Sequence, residues 1–347
     1  MNEKCDMKCD VKSDMNPGMK SDMKSGFAEA VRHEFDTKVA RVRSLLAAKG
    51  LDAAFIKRQD NFAWLTCGGR NYVGMGEVGN CGLLVTLKGL FAITNNIEAP
   101  RMVAEEHVEE LGFDVRYGVW HDNGFQNRVL AELVPSGRIG FDTGDLADGI
   151  KALRFDLTSE EIERYVAIGN DASRALEEAG MEISVGDSEY EIAGLIMDKM
   201  EACGLELLSC MVAADERISL YRHPLPTSKR VKEKVQIGGN FRRNGLVVCM
   251  TRYVYFVEPS AELLSQYEAN QIIDCTYMAA CKPGATYVSA LEAGKAAYEK
   301  LGYAAEFDRL DMQGVTIEWI SPLQESFQTI MRSVGILRSL ERRARIL

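Results

Sequence analysis

The chain has no apolar run approaching 18 uninterrupted residues, so no membrane-spanning helix is expected. Its amino terminus lacks an apolar core and a small-residue cleavage site, so no signal peptide is expected either. Positive charge is not in excess: a formal net charge of −10 argues against a general nucleic-acid binder. The nine cysteines have no regular spacing, and most sit in apolar runs (Cys67, Cys81, Cys203, Cys249, Cys275), which fits reduced thiols in the cytoplasm. Cys5 and Cys9 have no histidine or further cysteine near them and do not make a metal site. The glycine-rich residues 74–82 follow no strand-to-helix junction, so they read as a surface loop rather than a phosphate cradle. Of four histidines, only His223 falls in the second half.

What is present is an ordinary globular composition, 46% hydrophobic and 27% charged over 347 residues, enough for two domains. Residues 1–26 are a degenerate tetrapeptide repeat (Cys5-Asp6-Met7-Lys8, Cys9-Asp10-Val11-Lys12, Ser21-Asp22-Met23-Lys24), poor in branched apolar residues and read as a disordered leader. From Phe27, apolar residues at three- and four-residue spacing predict a helix ending at Lys49-Gly50. A strand over 53–56 follows, then a hairpin of 83–86 with 90–93. A helix over 100–111, a strand over 113–117, a helix over 126–133 and a strand over 138–141 complete an alternating α/β unit spanning 27–155. Thr158 with Glu161 is a capping box that opens a long helix to about residue 179. A further helix is expected over 261–280.

The organising stretch is 221–256. Two antiparallel strands are expected around Asn244-Gly245, a strong hairpin signal. Ahead of them, Pro224 and Pro226 hold His223 in an extended loop, where it is an acid, a base, a ligand for substrate or a structural histidine.

This stretch resembles the heart of the creatinase, aminopeptidase P and prolidase group, the pita-bread peptidases. His223-Pro224-Leu225-Pro226-Thr227 matches the family's HPxPT loop, and Gly245, Thr251 and Arg252 set the register of its DxGxxxxGYxxDxTR hairpin. Residues 61–68 resemble its N-x-x-Y-L-T-G segment, 186–191 its G-x-T-E-x-E helix start, and 282–286 its K-P-G-A-T turn. The likeness runs over roughly 35–314. It implies a creatinase-type amino-terminal α/β domain (27–155) and an α+β pita-bread domain (156–347) that is truncated. It also implies a homodimer, because related two-domain members reach a partner's cleft.

The family binds two manganese, cobalt or zinc ions, and its first two aspartates fall here on Gly238 and Cys249. Its histidine ligand falls on Gln313. Glycine offers no ligand, and a lone thiolate prefers softer cations than the family's carboxylates do. The expectation is therefore no metal, no cofactor and no assigned catalytic residue, with Glu318, Glu325 and Glu341 left unassigned. The expected protein has lost dinuclear-metal peptidase activity and binds a peptide or small molecule, with no nucleic-acid or membrane partner. The alternatives are an active metal-dependent Xaa-Pro dipeptidase or aminopeptidase, and a metal-free creatinase-like C–N hydrolase. His223 and Arg252 are the candidate substrate-binding residues, with Tyr221 and Tyr253 as neighbours. Against that stands a structural reading, in which Arg252 pairs with a carboxylate and His223 caps a loop. Residues 328–347 show helical apolar spacing among five arginines and read as a packing helix, a membrane-surface helix or the product of a truncated or shifted reading frame.

Overall fold

The computed structural model describes residues 17–282, 284–307 and 345–346. The first helix, α1 (Pro17–Lys49), starts ahead of the expected Phe27. Proline is tolerated in a first turn, and the methionines and lysines after it are good helix formers, so the second part of the repeat leader continues into the helix. Residues 1–16 lie outside the described residues. At its far end Gly50 takes φ +66 and stops the helix as expected. The inward stripe of α1, Phe35, Val39, Val42 and Leu46, is buried against the first sheet.

That sheet comprises β1 (Ala53–Arg58), β2 (Val78–Thr86), β3 (Leu90–Asn95), β4 (Asp114–Gly118) and β5 (Ile139–Phe141), in the order β4-β3-β2-β1-β5. The expected hairpin joins β2 to β3, and β1 with β5 and β3 with β4 are the parallel pairs. Its helices are α2 (Gln59–Leu65), α3 (Ala99–Ala104), α4 (Phe125–Leu133) and α5 (Ala147–Leu153). Two expectations change here. The helix expected over 100–111 ends at Ala104, because His107 sits at φ +52, which a right-handed helix cannot contain. The expected glycine-rich loop becomes strand at Val78.

The second half opens on α6 (Ser159–Glu182), started by the Thr158–Glu161 capping box, and α7 (Glu189–Ala202), started by a second box between Ser188 and Glu191. Then come β6 (Glu206–Ala214), α8 (Arg217–Leu220), β7 (Lys234–Arg243) and β8 (Leu246–Tyr255). The remaining elements are α9 (Ala261–Ala280), α10 (Tyr287–Lys300), α11 (Ala304–Phe307) and β9 (Arg345–Ile346). The four strands form an antiparallel sheet in the order β6-β7-β8-β9, backed by α6 and α7 over a core that includes Ile168, Leu176, Ile196, Ile237 and Phe241. A helix was expected to the end of the tail, but Arg345 and Ile346 are strand paired with Tyr255 and Val254. Residues 308–344, with Gln313 and the rest of that expected helix, lie outside the described residues.

A buried charge joins the two halves. Lys38 of α1 is fully buried, and its ammonium donates to Glu34 Oε1 (2.6 Å), Glu161 Oε1 (2.7 Å) and the Trp64 carbonyl (2.7 Å). Glu34 in turn takes both terminal nitrogens of Arg164, at 2.7 and 2.8 Å. At a second junction the Tyr72 hydroxyl donates to the Glu206 carboxylate (2.6 Å), which also receives Arg242, whose guanidinium lies 4.5 Å from the Tyr72 ring centroid. The hairpin turn completes the joint. Asn244 and Gly245 both have positive φ, and a Cβ on Gly245 would stand 2.4 Å from that of Ala63, so only glycine fits.

Removing the ammonium leaves Glu161 buried without its ion-pair partner and Glu34 with Arg164 alone. Lys38→Met is expected to cost ~3–5 kcal/mol in denaturant unfolding; a loss below 1 kcal/mol would contradict the arrangement. Burial pushes the Glu34 carboxyl up, but Arg164 and Lys38 outweigh it and hold it below the usual range. Its contribution to stability is therefore present above the unfolded glutamate value of about 4.3 and lost as pH falls through the lower folded value. Thermal unfolding of wild type against Glu34→Gln is expected to converge as pH drops through that window.

Candidate functional site

The site is built where the HPxPT loop meets the β6-β7-β8 sheet. Pro224 is buried and its carbonyl accepts from the Val212 N–H (3.2 Å), so the loop runs along the free edge of β6. Its far end is held by Glu189, the first residue of α7. Glu189 Oε2 receives the Thr227 N–H (2.8 Å) and hydroxyl (2.6 Å), Oε1 receives the Ala214 N–H (2.8 Å), and the Arg217 guanidinium contacts the same carboxylate. Arg217 also reaches the Leu225 carbonyl (3.0 Å). Burial raises the Glu189 carboxyl, yet Thr227 and Arg217 together hold it below its usual range. Two of the sequence motifs, G-x-T-E-x-E and HPxPT, are thus halves of one clamp. The clamp leaves Tyr221, Arg222 and His223 exposed on the surface.

The two strands pair antiparallel around the Asn244-Gly245 turn, as expected. Gly238 pairs with Thr251 and Asn240 with Cys249, which puts Gly238 and Cys249 on one face of the sheet. That face is turned away from α6, since the alternate residues Leu246, Val248, Met250 and Val254 pack into the helix-backed core. Gly238 and Cys249 share their face with Gln236, Asn240, Thr251 and Tyr253, and none of the six is a carboxylate. A Cβ on Gly238 would stand 2.4 Å from the Met250 carbonyl oxygen, so the backbone pairs there too closely for a side chain. Cys249 is exposed. Among the described residues, no three of His, Cys, Asp and Glu gather as metal ligands would. The donors at the two placed positions do not fit the pair of hard cations that the family frame implies.

His223 and Arg252, expected to line one pocket, are not brought together. Arg252 falls on the helix-backed face, where it donates to Ser173 Oγ (2.7 Å) and Glu177 Oε1 (3.2 Å) of α6. It pairs with Ile237, which pairs with Val212, the residue that meets Pro224. The HPxPT loop therefore lies about three strand spacings away, roughly 14 Å across the sheet. Arg252 pins strand to helix, as the structural reading held. The guanidinium on the open-face side is instead that of Arg222, close enough for its charge to offset part of the rise that burial imposes on the Tyr253 and Tyr298 hydroxyls. Tyr253 also stacks on Tyr255, with centroids 6.3 Å apart. Sequence reasoning missed Arg222 because its motif directs attention to the next residue. It also missed Glu189, whose motif was read only as a helix start.

An α/β domain followed by a helix-backed antiparallel sheet, with an HPxPT loop clamped to its edge, defines the creatinase-type two-domain architecture. The family described as Creatinase/Prolidase N-terminal domain matches residues 38–156, and Metallopeptidase family M24 matches 163–320. Solved structures share the fold. The Xaa-Pro dipeptidase of Bacillus anthracis is 20% identical with a TM-score of 0.61, over 78% of this chain and 79% of that one. The prolidase of Pyrococcus furiosus is 20% identical with a TM-score of 0.60, over 76% and 79%. The N-terminal domain of the FACT complex subunit SPT16 of chickpea (Cicer arietinum) is 13% identical with a TM-score of 0.55, over 78% and 77%. No curated protein matches in sequence. The chain belongs to the creatinase/prolidase family. No helix among the described residues is long and apolar enough to cross a membrane.

The clamp gives a test. Glu189→Gln removes the charge that orders Thr227, Ala214 and Arg217 and is expected to cost about 2 kcal/mol. Amide hydrogen exchange at Thr227 and Ala214 should accelerate while the Phe241 and Val254 amides stay protected. Unchanged exchange at Thr227 would dissociate the loop from Glu189.

Proposed function

We propose that this chain is a non-catalytic member of the creatinase/prolidase family that binds a peptide or small molecule beside the HPxPT loop. The observation that carries the reading is the hairpin. It presents Gly238 and Cys249 at the positions that correspond to two aspartates of the family motif, and Gly238 is too tightly paired to bear any side chain. Without a cation to lower the pKa of bound water, the face has no source of hydroxide at neutral pH. What it does offer is a guanidinium and an imidazole on the exposed loop, Arg222 and His223, beside the Tyr253–Tyr255 stack. Such groups suit the carboxylate and ring of a short proline-containing peptide. The occurrence of this fold in a FACT complex subunit supports reading function from the site rather than from the frame. The proposal includes a cytoplasmic homodimer. Its support is the exposed apolar side chains Val73, Met75, Val119 and Trp120 on the amino-terminal domain.

Purified protein incubated with excess manganese, cobalt or zinc, then desalted, is expected to retain less than one equivalent of metal and to leave Xaa-Pro dipeptides uncleaved. Two tightly held equivalents with cleavage would establish the active metallopeptidase instead. Cleavage persisting in chelator would favour the creatinase-like hydrolase. In a screen of proline-containing peptides, Arg222→Ala and His223→Ala should weaken binding about tenfold or more, the scale of one lost charge-assisted contact. Peptide binding unaffected by both changes would refute the proposed location.

A further inference from the structure

Open α/β sheets receive ligands at the carboxyl ends of their parallel strands, where the chain reverses its direction of winding. The amino-terminal sheet has such an end. β1, β3 and β4 run one way, with β2 opposed between β1 and β3. α3 leads from β3 outward to the edge strand β4, and α4 leads back to β5 at the opposite edge. Between the end of β3, the β4–α4 connection and the first turn of α4 lies a cavity of about 120 Å³, open at its mouth. A closed apolar cavity of ~150 Å³ holds one benzene ring. This one has room for a single ring, with the remainder of a guest outside.

Side-chain amides dominate the wall: Asn80, Asn95, Asn123 and Gln126. Two of them are fixed with the nitrogen to spare. Asn95 Oδ1 receives the Ile97 and Glu98 N–H groups (2.9 and 3.0 Å), and Gln126 Oε1 receives the Lys57 ammonium (2.8 Å). Each therefore has an uncommitted NH2 group. The side chains of Asn80 and Asn123 make no hydrogen bond to any described residue, so each can donate and accept. Asp122 is the one charged lining residue, and it is already engaged by Arg128 and the Gly124 N–H (3.1 Å). Trp120 lines the same cavity yet is 63% exposed, which makes its indole a stacking surface open to solvent.

The wall thus offers amides and an aromatic face but no free charge. An ionic guest would find no counter-charge there, whereas a flat, uncharged ring with acceptors and N–H groups along its edge is matched. Nucleobases have that chemistry: they stack on aromatic side chains, and an Asn or Gln amide holds the adenine edge by one donated and one accepted bond. Uncommitted NH2 groups suit the carbonyls of uracil equally. The net charge of −10 disfavours phosphate chains but not an uncharged base.

We propose that this cavity binds a single nucleobase, free or as its nucleoside, stacked on Trp120 and held at its edge by the amides of Asn95, Asn123 and Gln126. The site belongs to the amino-terminal domain and is independent of the peptide site beside the HPxPT loop. Trp120 is also one of the apolar side chains offered above as a dimer surface, and the experiment separates the two uses.

The full chain is labelled with 15N-tryptophan, and the Trp120 indole signal is identified by its loss in Trp120→Phe. Adenosine, uridine and glucose are titrated separately. The expected result is a saturable shift of the Trp120 signal with adenosine, uridine or both, and none with glucose. Response to one nucleoside alone identifies the base edge that the amides read. In equilibrium dialysis with the same nucleosides, Trp120→Ala is expected to weaken binding about tenfold or more, the scale of one lost stacking contact, and Asn123→Ala severalfold. A Trp120 signal unmoved by both nucleosides, or moved equally by glucose, overturns the proposal, as does dialysis binding that neither variant weakens. A signal that follows protein concentration and not nucleoside means that a second copy covers the indole, and overturns it too.

Discussion

The buried ammonium of Lys38 is the interaction on which the rest of the molecule depends. A lysine with no exposed surface is tolerated only when all three of its protons are taken, and here two carboxylates and a carbonyl take them. The partners come from three places in the chain: the preceding turn of α1, the end of α2 and the start of α6. Glu161 has two duties at once, since its other oxygen closes the capping box on Thr158. The first turn of α6 is therefore set by the amino-terminal domain. α6 then sets the second domain, because Tyr165 reaches the Val247 carbonyl (3.2 Å) and Ser173 receives Arg252. Position passes from one charge, through one helix, to the hairpin.

The domain joint is polar where a typical core is apolar. Glu34, Lys38, Glu161 and Arg164 at one contact, and Tyr72, Glu206 and Arg242 at another, make directional bonds that fix orientation as well as proximity. Between them the Asn-Gly turn touches Ala63 and Gly68 at backbone distance. Apolar packing alone would leave the domains freer to slide, whereas buried charges out of register would cost several kcal/mol each. Their angular relation is consequently set by electrostatics.

Much of this was legible in the sequence where the signal is local. Both capping boxes, the Gly50 stop, the Asn244-Gly245 turn and the β2–β3 hairpin are decided within a few residues, so their patterns read directly. The misses share a cause. β6 alternates poorly because its pairing with β7 carries a bulge between Leu207 and Ser209. α3 ends early because His107 takes a left-handed conformation that no composition announces. Lys38 sits in an apolar stripe and looks like a solvated position, since its counter-charge Glu161 lies 123 residues away. Arg252 was placed in a pocket because a strand pattern gives alternation but not which face the helices cover. The face is a tertiary fact, decided by where α6 packs.

The clamp at Glu189 bears on how such chains are recognised. The threonine that ends the His-Pro-x-Pro-Thr pattern is a handle by which one helix grips a loop, and it holds the first strand of the sheet through Ala214 in the same grasp. A search keyed to that pattern detects joinery, much as a mortise shows that a frame was assembled without saying what the room is used for. Chains that retain the grip will be gathered with the hydrolases whether or not a reaction takes place at the neighbouring strand face.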